Sequence, residues 1–382
     1  MGNIEKQVKA LAVELGFDLV GITSAETFEH HRITTLQRIK RGFMDGLGWF
    51  TEDRVNRGTV PENLLPGAKS IISVGLSYYV SADSVKDVSS SGKVARYAWG
   101  DDYHKLMKDR LKEYVNVLST RCERKIEARW YVDDGPMLDR AAAERAGLGW
   151  YGKNTNILTR SHGSWVFLGQ VVTDMVLEPD KQLKKTCGNC VRCIDSCPTG
   201  ALLSPYVLDN KRCISFLTIE NRGVIPRELR TKMFDWVFGC DICQDICPVN
   251  VKAMYSKEQA FQKKRFTTLE LVGILGMTEE EFQERFSNSP IKRAKLVGLK
   301  RNACVALGNN GDRKAVPDLI ETLEVSTTLI KIHAAWALGR LGGSKAECAL
   351  STALNVEADE ELRSEILMAL KDLSGYRLKT CS

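Results

Sequence analysis

Hydrophobic positions along the first half of the chain switch between two periods. Ile4, Val8, Leu11, Ala12 and Leu15 recur every three or four residues and mark one face of a helix. The run FDLVGI at 17–22 is continuous and β-prone, as a buried strand is. Apolar strand segments return at 70–80, 126–132 and 165–176, with helical spacing at 33–43, 103–119 and 137–147 between them. Residues 1–180 are therefore expected to form a mixed domain of the α/β or α+β class, its helices packed on a sheet. Strand order is not encoded in such a pattern.

At 181–255 this rhythm stops and cysteines take over. From 256 to 382 the pattern is helical and repeats. RNACVALGNNG (301–311) is echoed by IHAAWALGRLG (332–342), with Ala306-Leu307-Gly308 and Ala337-Leu338-Gly339 31 residues apart. Ala369-Leu370 marks a weaker third copy, and Pro317 starts the second helix of one pair. Small residues at a fixed offset let successive helices approach closely, so a HEAT-like solenoid is expected over 256–382.

Composition adds little until it is located. The 382 residues are 43% hydrophobic and 27% charged, which excludes wholesale disorder, and a net charge of +6 does not by itself identify a nucleic-acid binder. The charge is uneven, however. Arg285, Lys292, Arg293, Lys295, Lys300 and Arg301 fall in a stretch up to Gly311 without one acidic residue, whereas 312–382 holds nine basic against eleven acidic residues. A basic face at the head of a solenoid suits a phosphate backbone, and a solvated helix face fits the same composition. No secretory leader is expected from MGNIEKQVKALAVELGF; Lys6 spoils a myristoylation signal and Cys381 is misplaced for prenylation. No apolar run reaches 18 residues, so no membrane span is expected, and the protein is expected in the reducing cytoplasm.

Eight of the twelve cysteines lie within 187–247. Cys187-x2-Cys190-x2-Cys193-x3-Cys197-Pro198 has the bacterial ferredoxin spacing, and Cys240-x2-Cys243-x3-Cys247-Pro248 is an incomplete second copy with Cys213 as the spare thiolate. By the crossover rule one 4Fe–4S cluster takes Cys187, Cys190, Cys193 and Cys247, and the other takes Cys197, Cys213, Cys240 and Cys243. Four-cysteine zinc sites use two separated C-x2-C pairs, which this spacing does not match. Two neighbouring clusters imply one-electron transfer.

Other motifs are weaker. Gly147-x-Gly149-x-x-Gly152 follows a helical segment, not a strand, so it is expected to end that helix instead of cradling a dinucleotide. Asp102-x-His104 lacks the later glycine of a corrinoid-ligating motif, and five histidines without H-E-x-x-H leave hydrolytic zinc without ligands. Asp133-Asp134 follows a strand-like segment, where a partly desolvated carboxyl can donate a proton; a turn or helix-capping role before Pro136 is the more ordinary reading of the same residues.

The order of parts, with RYAWGDDYH (96–104), VDDGPMLDR (132–140), GLGWYGKN (147–154) and GCDICQDICP (239–248), closely resembles the epoxyqueuosine reductase family over essentially the whole chain. That family, related to reductive dehalogenases, reduces the epoxide of epoxyqueuosine at the tRNA wobble position using cobalamin and two 4Fe–4S clusters. The resemblance implies that Asp134 is the proton donor, that Arg57, Tyr97, Asp134, Lys153 and Ser215 contact cobalamin, and that Arg222 and the 285–301 basic run hold the anticodon stem-loop. It also implies a tRNA with a queuosine-type anticodon as partner, a flavodoxin- or ferredoxin-like electron donor, and a monomer. Two rivals share features: a dehalogenase-like enzyme acting on a small molecule, which would not need the basic solenoid, and a non-catalytic redox-sensing RNA binder, which would need neither cobalamin nor Asp134.

Overall fold

The computed structural model describes residues 2–81 and 90–380; Cys381 lies outside them. The chain forms two compact units, neither continuous in sequence. The first comprises Met1–Ser81, Gly100–Lys211 and Asp241–Lys263; the second takes the segment ending at Trp99, Arg212–Cys240 and the chain from Lys264 onward.

In the first unit, the four apolar runs become one four-stranded sheet in the order Leu19–Ser24, Ser70–Ser77, Val166–Thr173, Ala128–Tyr131, antiparallel throughout. The α+β alternative is thus realised in this unit. The two inner strands are the most buried: Ser70–Ser77 is buried at every position and Val166–Thr173 at all but two, whereas the edge strand Ala128–Tyr131 has no buried residue. Tyr103–Arg121 covers the sheet through Met107, Leu111, Tyr114 and Leu118, each a helical turn or less from the next. Burying each of these contributes roughly 1.5–3 kcal/mol. The Tyr114 hydroxyl, itself buried, donates to the Val8 carbonyl at 2.8 Å and ties this helix to Asn3–Glu14. Asp102 starts Tyr103–Arg121 as an N-cap, accepting from the His104 amide at 3.1 Å and lying 2.7 Å from His104 Nδ1. That local capping role accounts for the Asp102-x-His104 pair.

The short helix Asp139–Arg145 buries Ala141, Ala142 and Ala143 and is followed by Gly147 at φ 74° and the strand Gly149–Tyr151. The order is helix, glycine, strand: the reverse of a dinucleotide fingerprint and the helix-ending role expected for these glycines.

The second unit contains a three-stranded sheet in the order Trp236–Phe238, Ser91–Val94, Thr268–Glu270, followed by the solenoid helices Lys295–Asn310, Val316–Val325, Thr328–Leu341, Ser344–Val356 and Glu360–Thr380. Pro317 lies in the first turn of Val316–Val325. The repeat has a packing cause: a Cβ on Gly308 would lie 2.7 Å from the Trp336 ring, and one on Gly339 would lie 2.8 Å from Ala369 Cα. Equivalent positions of successive repeats are where the helices touch. No helix among the described residues is long and apolar enough to cross a membrane.

Candidate active site and cluster pocket

A cavity of about 720 Å³ opens in the first unit. Its walls come from His30, His31 and Arg38 on Glu29–Lys40, from Trp49, Phe50 and Arg54, from Tyr103, and from Asp133, Asp139, Arg140, Tyr151 and Tyr206. The volume is that of a small-molecule or cofactor site. Arg38 donates to the Tyr206 carbonyl at 2.6 Å, and burial holds its pKa below the usual arginine value. Burial also pushes the Tyr151 hydroxyl up to about 12, so it stays a neutral donor.

The loop after Ala128–Tyr131 gives its two carboxylates different surroundings. Asp133 takes a left-handed φ of 56°, rare for a residue with a side chain, and lines the cavity. Its Oδ2 accepts from the Tyr103 hydroxyl at 2.8 Å, and the Tyr103 ring is fixed by stacking on Phe167, with centroids 3.9 Å apart. Asp134 is absent from the cavity wall; it forms an ion pair with Lys108 and accepts from the Val132 amide at 3.3 Å. Two glycines make this arrangement possible. A Cβ on Gly58 would overlap the Pro136 carbonyl, and one on Gly135 would overlap the Tyr131 ring. Arg54 donates to the Gly135 carbonyl while its guanidinium lies 4.7 Å from the centre of the Trp49 ring.

Asp139 completes the acidic side. Its carbonyl accepts from Gln170 Nε2 at 3.2 Å, but its buried Oδ1 has no hydrogen-bond partner among the described residues. Burial first, then the neighbouring Asp133 charge, hold this carboxyl well above the usual carboxylate range. The cavity therefore combines aromatic walls, cationic donors and a carboxyl whose hold on a proton is strengthened by burial.

Of the residues assigned to cobalamin through the family resemblance, Arg57, Tyr97, Lys153 and Ser215 do not line this cavity. Arg57 is exposed on Glu52–Gly58, where the neighbouring Arg54 is the cavity residue. Tyr97 and Ser215 belong to the second unit, Tyr97 with its ring 5.9 Å from Phe238 and Ser215 in the first turn of Ile214–Ile219. Lys153 borders the cysteine pocket and donates to the Gly188 carbonyl at 2.7 Å.

That pocket is lined by Cys187, Cys190, Cys193 and Cys247, the four thiols grouped by the crossover rule. Burial and the adjacent thiols raise the pKa of Cys193; burial raises that of Cys247, against the Val249 and Asn250 amides. Iron bound there would stabilise the thiolates that this crowding disfavours. Cys197 Sγ accepts from the Ala201 amide at 3.3 Å, the kind of contact that tunes cluster potential.

The basic stretch divides by burial. Arg301 is fully buried and donates to the carbonyls of Leu217 at 2.6 Å, Asn221 at 2.8 Å and Gly223 at 2.9 Å; burial draws its pKa down to about 9. It braces the second unit and has no surface to offer a phosphate, which corrects its assignment to the RNA face. Lys300 is half-buried, and Arg293 pairs with Glu220 at 2.8 Å. Arg222 donates to the Arg293 and Ala294 carbonyls yet keeps half of its side chain exposed. Arg285, Lys292 and Lys295 are exposed, and Lys295 has φ 61° where Lys295–Asn310 begins.

Comparison with known proteins defines the class. The family described as "Epoxyqueuosine reductase QueG, DUF1730" matches residues 59–134, "4Fe-4S double cluster binding domain" matches 186–250, and "HEAT repeats" matches 297–371. An epoxyqueuosine reductase of Bacillus cereus is 36% identical over 378 residues, covering 97% of this chain and 98% of that protein. A crystal structure of epoxyqueuosine reductase with a tRNA-Tyr epoxyqueuosine-modified stem loop is similar at TM-score 0.91 and 33% identity, covering 97% of this chain and 99% of that one. Another, the Bacillus subtilis enzyme with its catalytic aspartate loop swung out of the active site, has TM-score 0.90 and 33% identity over the same shares. These define an iron–sulfur oxidoreductase with a HEAT-repeat region. The chain belongs to the epoxyqueuosine reductase family.

Proposed function

We propose that this protein reduces epoxyqueuosine to queuosine in tRNA, at the cavity of its first unit, with cobalamin and two 4Fe–4S clusters as electron carriers. The observation that carries the reading is the full-length similarity to a reductase crystallised with an epoxyqueuosine-modified stem loop.

The residues present fit a corrinoid. A flat macrocycle fringed with amides needs apolar faces and scattered hydrogen-bonding groups. Trp49, Phe50 and Tyr206 offer the first, and His30, Arg38, Asn156 and Gln244 the second. Cobalamin bound there would supply low-potential electrons to the epoxide carbons. The clusters would relay those electrons from a flavodoxin- or ferredoxin-like donor, one held by Cys187, Cys190, Cys193 and Cys247 and the other by Cys197, Cys213, Cys240 and Cys243.

The protein's own part is protonation and water exclusion. An alkoxide is too basic to leave unprotonated, so an acid must meet the departing oxygen. Cavity geometry favours Asp133 for this role over Asp134, the residue that sequence reasoning singled out. Tyr103 orients Asp133, Arg54 tethers the loop through the Gly135 carbonyl, and the aromatic walls exclude competing water. Arg222, Arg285, Lys292 and Lys295 would meet the phosphates of the stem-loop, with Arg293 and Lys300 as partial contributors.

In functional terms, residues 1–180 supply most of the cavity, 181–255 the electron relay together with the wall residues Tyr206 and Gln244 and the RNA-facing Arg222, and 256–382 the RNA-facing repeats. Cluster thiolates require a reducing compartment, which supports a cytoplasmic location. Anaerobic turnover with and without added cobalamin tests the reading. Queuosine formed only with cobalamin supports it; equal conversion without the corrinoid would overturn the cofactor assignment.

A further inference from the structure

Turning an epoxide into an alkene breaks two C–O bonds, consumes two electrons and needs two protons to release the oxygen as water. One carboxylic acid carries one proton, so a water-excluding site needs a second source. We propose that Asp139 is that source, a buried carboxylic acid that acts through Asp133 and reloads it between the two C–O cleavages. The proposal rests on the functional reading above.

Three observations support it. Asp139 and Asp133 line the same cavity. Asp139 Oδ1 is buried without a hydrogen-bond partner among the described residues, and so is Gln170 Oε1, although the Gln170 amide bonds the Asp139 backbone. Buried acceptors left without a donor are costly, and a protonated Asp139 has a donor to offer. Finally, the charged and titratable groups facing it favour its neutral form on balance. Burial is the first cause; Asp134, and Asp133 once it has given up its proton, add to it from the loop, while the Asp139 backbone amide and Arg140, the next residue in its own helix, oppose them.

The balance closes without another reactant. With both carboxyls protonated from solvent before substrate closes the site, Asp133 gives its proton to the oxygen as the first C–O bond breaks, and Asp139 then passes its own proton to the resulting Asp133 carboxylate. Asp133 delivers this second proton as the other C–O bond breaks and water leaves. The clusters supply both electrons, and Asp139 is reprotonated from solvent after product release.

The test uses full-length protein loaded with clusters and cobalamin, and tRNA carrying epoxyqueuosine. Single-turnover rates are measured across the neutral pH range for wild type, Asp139→Asn and Asp139→Glu. Asp139→Asn should be slowed about 100-fold, the lower end for losing a positioned acid, and the deficit should narrow as pH rises through the Asp139 pKa, where wild type loses the proton that the variant lacks. Asp139→Glu should recover most of the rate, with cluster absorbance and tRNA affinity unchanged in both. A wild-type rate and pH profile in Asp139→Asn would overturn the proposal. So would a deficit that is equal at every pH and not recovered by Glu, which would mark a structural role. Wild-type protein that forms no queuosine would overturn the functional reading itself, and the proposal with it. As a check on folding, Asp139→Asn should melt no lower than wild type; a lower melting temperature would contradict a protonated Asp139.

Discussion

Tyr103 and Asp133 are joined by a 2.8 Å hydrogen bond from the phenol to the carboxylate, across the wall of the first unit's cavity. The bond selects between adjacent acids: Asp133 is oriented at the cavity, and Asp134, one residue on, is paired with Lys108. If Asp133 is the proton donor, Asp133→Asn should lose at least 100-fold in single-turnover rate while retaining clusters and cobalamin. Asp134→Asn should stay within about tenfold of wild type. Rapid-quench assays on both variants check this, and the opposite ranking would return the role to Asp134.

Tyr103→Phe removes the orienting donor but keeps the ring stacked on Phe167. Stability should change by about 1 kcal/mol or less, since the acceptor remains open to the cavity. The turnover rate should fall roughly tenfold with unchanged tRNA affinity, as measured by parallel binding and rate assays.

Arg301 and Lys295 lie in one basic stretch and should respond oppositely to truncation. Lys295→Ala should leave the melting temperature unchanged and reduce the salt dependence of tRNA binding by about one phosphate contact. Arg301→Ala strands three carbonyls inside the second unit and should destabilise it by about 3–5 kcal/mol. Denaturant melts and salt titrations of the two variants separate the roles.

Asp139 makes stability depend on pH. Its folded pKa lies above the unfolded value of about 3.9, so its favourable contribution is complete below that value and is lost as pH rises through the folded pKa. Each pH unit within that window costs about 1.4 kcal/mol. Asp139→Asn has no such titration and should be more stable than wild type above the window, with the two converging in acid. Melting curves against pH would detect the crossover.

Much of this was legible in the sequence where one physical constraint dominates. The apolar runs stood out as strands because β-prone residues are concentrated in them, and the cysteine spacing followed from cluster coordination. Strand order was not legible, because each strand's apolar run is compatible with several neighbours. The cavity was hidden for another reason: Glu29–Lys40 contains no buried residue, so His31 and Arg38 read as solvated surface until the fold curls the chain around them. Asp133 and Asp134 are chemically identical, and only the left-handed backbone at Asp133 separates their surroundings. Arg301 looked like its basic neighbours because a helix turns about 100° per residue, and one step from Lys300 carries it from the half-exposed side into the interior.

The most direct measurement is nucleoside mass spectrometry of epoxyqueuosine-containing tRNA after anaerobic incubation with the cluster-loaded protein, cobalamin and a low-potential reductant. The predicted result is loss of one oxygen atom from the modified nucleoside, giving queuosine, with no conversion when cobalamin is left out. Unchanged epoxyqueuosine from protein with full clusters, bound cobalamin and bound tRNA would contradict it.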